Sequence, residues 1–311
     1  MTDQNSDTID DHVVEAYGRN LRTEPQEMRS IFVPTVISDL NFTEKGDSWS
    51  DFSLGAREMR EVKERYGDTP NFVGKRKKRT GYFGVFHDSE MFDTVDDANV
   101  LLDPKSKTSL NMRYALQRRR DKTIHTGLFA PVREGENGGT VKAFPQSQII
   151  QANERKYYKG RADSVAAPVD APTGLTMAKL RAAKVLLDKS EIVGRRTFSA
   201  PSEQLAHLLT SEETTSADYA AVKALVNGEI NSYLGFDFER YEASEVDTAT
   251  TQVCGAWIQT AVQYKARPLT EFFVKPRYDK QGAVQSYHKY RDSALRLEDG
   301  GVVKVECARI Q

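Results

Sequence analysis

Apolar and polar positions recur along this chain with two different periods, and the changes of period mark its parts. The densest patterning runs from Thr173 to Tyr241. Met177, Leu180, Ala183 and Leu187 recur at helical spacing and Thr176 is placed to cap the first turn, so an amphipathic helix is predicted there. Lys179, Lys184 and Lys189 fall elsewhere on the wheel and are predicted to form its polar side. After Gly194, the stretch Arg195–Ala200 has the length of one strand. Pro201 and Ser202 open a second helix through Leu209, because proline suits a first helical turn. Ser216–Val226 reads as a third helix carrying Tyr219, Val222 and Val226 inward, and Glu229–Tyr241 as two short strands about Gly235. Together these make a compact α+β unit.

Upstream, Leu110, Tyr114, Gln117, Asp121, Ile124 and Leu128 trace one stripe of a long helix over roughly Ser106–Phe129. Such a helix is a rod of about 30 Å. Before it, Met1–Asp10 is polar and His12–Leu21 has the pattern of a short helix. Ile31–Ile37 reads as a strand interrupted by Pro34, which favours a sheet edge, where the missing N–H is not needed. An apolar edge strand without an obvious partner nearby is expected to pair with another copy of the chain, or else to lie at the edge of its own sheet. Asp51–Tyr66 is charge-dense and helix-prone, whereas Phe72–Phe86 is basic, aromatic and punctuated by glycine. Met91–Pro104 is acidic and amphipathic and ends in an Asp-Pro turn. Beyond the long helix, Gly135–Gly139 reads as a loop and Val141–Ile150 as a strand or paired strands. Ala152–Pro172 is polar and then proline-rich, an extended connection into the α+β unit. Downstream, Gln252–Lys265 is buried β with Trp257 as its anchor, and Arg267–Val274, Gln281–Leu297 and Val302–Cys307 are further strands. Asp299-Gly300-Gly301 is the hairpin turn expected between the last two.

Composition narrows the class. With 311 residues, 39% hydrophobic and 29% charged, the chain is globular and long enough for one large domain or two modest ones. A net charge of −1 gives no global reason to bind nucleic acid or an anionic membrane. No apolar run approaches the ~20 residues needed to span a bilayer, and the first residues have no basic or apolar signal region. Cys254 and Cys307, set among apolar residues, read as buried thiols of a protein made in a reducing cytoplasm. Candidate chemistry is sparse. His12, His87, His125, His207 and His288 show no metal-ligand spacing, and no Cys-x-x-Cys, nucleophile elbow or phosphate loop occurs. Asp96-Asp97 and Glu212-Glu213 are adjacent carboxylates, which point to different faces of a helix and suit helix ends better than acid–base work. The chain is therefore read as a non-enzyme with no cofactor and no metal.

Two basic runs stand out. Lys75, Arg76, Lys77, Lys78 and Arg79 precede the aromatic Tyr82, Phe83 and Phe86, and basic residues interleaved with aromatics can track a phosphate backbone and stack bases. Arg118, Arg119 and Arg120, with Lys122, place four cations near one turn of the long helix. These eight residues, 75–79 and 118–120, are the candidate intersubunit or nucleic-acid contacts. The plainer readings are a solvated strand face for the first run and salt bridges for the second.

The succession of Leu180–Leu187, Arg196–Ala200, Gln204–Leu209 and Leu234-Gly235-Phe236-Asp237-Phe238 resembles the outer domain of tailed-phage major capsid proteins of the Hong Kong ninety-seven type. The wording of LTMAKLRAAKVLLD and TTSADYAAVKALVNGEINSYLGFDF is similar to one branch of that family, and the similarity extends from about Met91 to the C-terminus. The resemblance implies an α+β capsid fold with an N-terminal arm (1–50), an extended loop (51–90) and a peripheral domain (91–172) crossed by a spine helix near 106–129. It further implies an axial domain (173–262) and strands returning to the peripheral domain (263–311). It implies a self-assembling shell of hexamers and pentamers around double-stranded DNA, with 173–241 at the ring centres and the loop Glu212–Ser216 near the axis. Scaffolding, portal and decoration proteins would be partners, packaged DNA a non-specific one, and the virion the destination. The arm and the extended loop would lie on neighbouring copies, a basic strip meeting acidic surface there. The other class of function, carried by the residues rather than the resemblance, is a nucleic-acid-binding protein using 75–79 and 118–120, with salt-sensitive binding by the lone chain.

Overall fold

A computed structural model describes residues 28–55, 59, 61, 74, 76–92, 104–136, 138–153, 172–210 and 232–309. In chain order the elements are β1 (Ile37–Asp39), β2 (Ser48–Leu54), β3 (Arg76–Tyr82), β4 (Gly84–Phe92), α1 (Pro104–Phe129), β5 (Val132–Glu134), β6 (Thr140–Lys142) and β7 (Ile149–Ile150). They continue with α2 (Met177–Asp188), β8 (Arg196–Ala200), α3 (Ser202–Thr210), β9 (Ser232–Tyr233), β10 (Phe236–Arg240), β11 (Thr251–Ile258), β12 (Val262–Pro276), β13 (Val284–Arg296) and β14 (Val302–Ala308). The expected helix His12–Leu21, the third helix Ser216–Val226, the loop Glu212–Ser216, Lys75 and most of Met91–Pro104 lie outside the described residues.

Three sheets organise these elements. The first has the order β1-β12-β13-β4, the second β7-β14-β11-β8-β10-β9, the third β2-β3-β5-β6. The second sheet grows out of the patterned stretch. Thr176 caps α2 by accepting from the Lys179 backbone N–H, and Met177, Leu180, Ala183 and Leu187 are all fully buried, as their spacing predicts. Leu234 (φ 52°) and Gly235 (φ 83°) both take left-handed backbone, the turn that matches strand twist in a two-residue hairpin, and they join β9 to β10. Here glycine meets the requirement freely and leucine at a steric cost. One continuous core gathers Ile124 and Leu128 of α1, the α2 face, Phe198, Trp257, Tyr264, Val303 and Val305. A smaller cluster of Phe42, Trp49, Val132 and Leu295 lies under the third sheet.

The structure corrects several expectations. Ile31–Ile37 is not a strand: Phe32 is fully buried, Val33–Thr35 forms a 3-10 turn opened by Pro34, and only Ile37–Asp39 is extended. That strand pairs in parallel with β12 of its own chain, Ile37 opposite Gln263, so its partner is internal rather than another copy. The helix expected from Asp51 begins instead as the strand Ser48–Leu54, whose seven residues pair with Arg76–Tyr82. Tertiary pairing overrides local helix propensity there. Val141–Ile150 is broken into β6, a 3-10 turn and β7. The hairpin at Asp299–Gly301 is a crossing between sheets, since β13 stays with β12 and β4 while β14 pairs with β11 and β7.

Ala152–Pro172 is also less a bridge than expected, because its ends meet: the Thr173 N–H donates to Ala152 O at 3.0 Å. The residues between, 154–171, lie outside the described set. Lys179, placed on the polar side by its wheel position, is buried instead. Its ammonium donates to three backbone carbonyls, Ala152 O, Thr173 O and Glu306 O, at 3.2, 2.8 and 3.0 Å. All three of its donors are thereby satisfied, which is what a buried ammonium requires. Burial still holds its pKa below the usual lysine value. Cys254 and Cys307 are buried free thiols, as expected, with their sulfurs 3.9 Å apart.

Candidate functional site

The two basic runs sit on different elements, and in each the backbone geometry scatters the cations. In β3 successive side chains alternate between faces, so the run cannot present one continuous strip. Arg76 and Lys77 are exposed. Lys78 is half-buried, its ammonium donating to Glu136 O at 2.5 Å and lying 5.4 Å from the centre of the Phe52 ring opposite. Arg79 is buried and turned into the body, where its guanidinium meets Glu134, Asp299 and the Arg296 carbonyl.

On α1, three consecutive residues fan out by about 100° per step. Arg118 is exposed, whereas Arg119 lies flat over Phe86 of β4, 3.8 Å from the ring centre. Arg120 donates to Gln117 Oε1 at 3.3 Å, and Lys122 pairs with Glu245. Of the eight candidates, Arg76, Lys77 and Arg118 are exposed, Lys78, Arg79, Arg119 and Arg120 are half-buried or buried against their own chain, Arg118 too has a partner within the chain, and Lys75 lies outside the described residues.

The polar groups that organise the molecule are others. Asp121, the acid on the apolar stripe of α1, is fully buried and accepts from the Ser30 hydroxyl and from the backbone N–H groups of Ile31 and Phe32, at 2.5, 3.1 and 2.9 Å. Burial raises its pKa above the usual carboxylate value, against those hydrogen bonds and Arg120. The arrangement ties the incoming chain to α1 and drives Phe32 between His125, Tyr241 and Trp257. Burial lowers the His125 pKa to about 4, so this ring is neutral at neutral pH. An acid on a mostly apolar stripe was the signal in the sequence for this anchor.

A second polar layer lies between α1 and the first sheet. Asp292 of β13 is buried and accepts from the Tyr264 hydroxyl at 3.1 Å, with Thr123, Arg119, Arg120 and Tyr290 around it. Burial raises its pKa to about 6, against the hydrogen bond from Tyr264 and the nearby cations Arg119 and Arg120. A folded-state value above the unfolded one means stability that is present at low pH and is lost as pH rises from about 4 through about 6. Asp292→Asn, which stays neutral, is therefore expected to stabilise more at pH 7 than at pH 4, by about 2 kcal/mol. Urea unfolding of both chains at the two pH values measures this. The comparison cancels the opposite contribution of His125, whose lowered pKa removes stability as pH falls from about 6.5 through about 4. Equal effects at both pH values would show that Asp292 is not charged at a cost.

A third cluster joins the third sheet to the crossing turn: Arg79, Glu134, Lys142, Arg296 and Asp299. Arg296 is fully buried under the Phe144 ring and donates to Leu128 O and Ala130 O at the end of α1. Among the described residues no group of His, Cys, Asp and Glu has the makings of a metal site, and no helix is long and apolar enough to cross a membrane.

A family of phage capsid proteins matches residues 9–309 of the chain. No curated protein shows significant similarity to it. Among solved structures, one from Mycobacterium phage Che8 is 16% identical, with a TM-score of 0.63 over 94% of this chain and 96% of that one. The capsid of Ralstonia phage GP4 is 11% identical, with a TM-score of 0.67 over 96% and 95% of the two chains. The acid-stable capsid of Helicobacter pylori bacteriophage KHP30 is 9% identical, with a TM-score of 0.66 over 99% of both.

Proposed function

The chain belongs to the phage capsid protein family, and on that premise we propose that its copies assemble, as hexamers and pentamers, into an icosahedral shell around double-stranded DNA. Its architecture is an α+β fold of the Hong Kong ninety-seven capsid type, and its role is that of a major capsid protein in the virion. The observation that carries the proposal is coverage: the family match and the capsid likeness both span nearly the whole chain. On this reading 1–50 is the arm, 51–90 the extended loop, 91–172 the peripheral domain, 173–262 the axial domain and 263–311 the returning strands, although Ile37–Asp39 of the arm pairs with its own chain and β14 joins the sheet of β11 and β8. The chain is synthesised in the host cytoplasm and needs no catalytic group, since a shell requires many annealable contacts rather than a reaction. Scaffolding, portal and decoration proteins are its partners.

Contact with packaged DNA is non-specific and falls to cations on the surface of the chain. The reading of the chain as a dedicated nucleic-acid-binding protein has less support, because Arg79 and Arg119 are engaged with their own chain. Imaging the purified chain after size-exclusion chromatography at moderate salt is the test. Rings, tubes or closed shells are expected; a monomer that never assembles, even when concentrated or given a scaffold, would overturn the proposal.

A further inference from the structure

The antiparallel pair β2–β3 leaves the body and returns to it, with residues 55–75 between the two strands. Its apolar footing is small: Trp49 packs with Phe42, Val132 and Leu295, and with Phe83 and Leu297 at the margin. Four side chains cannot by themselves fix the direction of the paired strands. Beside them stands the charged cluster, and its geometry is that of a clasp. The guanidinium of Arg79 uses all three nitrogens: Nε and Nη2 donate to Glu134 Oε1 at 3.0 and 2.7 Å, Nη2 to Asp299 Oδ2 at 2.8 Å, and Nη1 to Arg296 O at 2.9 Å. Asp299 in turn accepts from Arg296 Nε at 2.9 Å and pairs with Lys142 at 2.7 Å. Arg296 Nη1 closes the chain on Leu128 O at 2.7 Å and Ala130 O at 3.2 Å. The connection therefore runs unbroken from the last turn of α1, through Arg296 and Asp299, to the root of β3 and across to β5.

We propose that Arg79 is a positioning residue for shell assembly, fixing the angle of the β2–β3 extension to the end of α1 rather than touching nucleic acid or a neighbouring copy. The proposal rests on the shell reading given above. Charged forks suit this task because their hydrogen bonds are directional, whereas apolar contacts tolerate rotation. A buried ion-pair cluster adds little net stability compared with apolar packing, but it penalises every geometry in which a partner is lost. Asp299 also keeps its charge in acid. Burial raises the Asp299 pKa, yet the hydrogen bonds from Arg79, Lys142 and Arg296 outweigh it and hold this carboxyl well below the usual range.

The test compares the full chain with Arg79→Ala, Arg79→Lys, Arg76→Ala and Lys77→Ala. Assembled fraction is read by sedimentation and imaging, and amide exchange is followed strand by strand. For Arg79→Ala we expect faster exchange in β2, β3 and β5 with β8 and β11 unchanged, and a fall in assembled fraction of at least about tenfold. Arg79→Lys, a point charge in place of a fork, restores part of both. Arg76→Ala and Lys77→Ala, on the same strand but exposed, leave amide exchange in β2, β3 and β5 as in the wild type. Should Arg79→Ala not fold, Asp299→Asn tests the same clasp from its other side. Wild-type assembly by Arg79→Ala, or exchange in β2, β3 and β5 sped equally by Arg76→Ala and Lys77→Ala, overturns the proposal. A wild-type chain that never assembles would sink the shell reading instead, and the exchange comparison would still decide whether Arg79 holds the extension.

Discussion

Trp257→Ala is expected to remove about 3–5 kcal/mol of stability, the range for truncating a large buried aromatic. Trp257 is fully buried at the meeting point of β11, the Val33–Thr35 turn and α1. Its ring meets Phe32 edge-on, centroids 5.3 Å apart at 82°, and its indole N–H donates to Thr35 O at 3.2 Å. Truncation thus opens a cavity and leaves that carbonyl without its donor. A typical domain has only about 5–15 kcal/mol in total, so this loss is a large share of it. Trp257→Phe keeps most of the volume and loses the donor, and should cost about 1–3 kcal/mol. Urea titration measures both, with Trp49, the other tryptophan of the chain, as the remaining fluorophore in each variant. A loss below about 1 kcal/mol for Trp257→Ala would mean that the turn and the sheet are not packed on each other as described.

Elements that announce themselves by periodicity were legible. The face of α2, the strand Arg196–Ala200, the helix after Pro201, the Leu234-Gly235 turn and the long helix stand where the sequence puts them, because each buries a stripe whose spacing is local. What failed was long-range pairing. Asp51 onward looks helical because its charges suit a helix, yet Ser48–Leu54 finds seven partners in Arg76–Tyr82. Asp299-Gly300-Gly301 has the composition of a hairpin turn, and no local rule states that β13 and β14 enter different sheets. The candidate contact residues were only partly legible for the same reason. A run of cations shows charge, whereas the carboxylates that engage Arg79 lie 55 and 220 residues away in the chain. Lys179 defeats the wheel because a backbone cage of carbonyls from three segments meets it. Asp121 left a signal that the reading of the sequence did not use: an acid on a mostly apolar stripe, which physics allows only with donors waiting for it.

Gly127→Ala is expected to cost about 3 kcal/mol, although alanine is the better helix former by about 1 kcal/mol. The position lies in α1 where the helix crosses β13. A Cβ there would fall 2.6 Å from Ala294 Cβ and 2.9 Å from Ala294 O. The first contact is with a small side chain, the second with backbone, so neither neighbour can swing aside and the helix must lift off the sheet. Ala294→Gly in the same chain removes the Cβ contact and leaves the carbonyl one, so the double variant should recover part of the loss and not all of it. If Gly127→Ala instead stabilises, as helix propensity alone predicts, the close approach is wrong. The consequence reaches beyond stability. Arg296 stands two residues after Ala294 and grips Leu128 O and Ala130 O, so raising α1 at Gly127 stretches the grip that runs on to Asp299 and Arg79. Gly127→Ala should therefore speed amide exchange in β2 and β3 as Arg79→Ala does, and the double variant should slow it again in step with its recovered stability. Exchange in β2 and β3 that stays at the wild-type rate while stability falls would show that the helix and the extension are not coupled through Arg296.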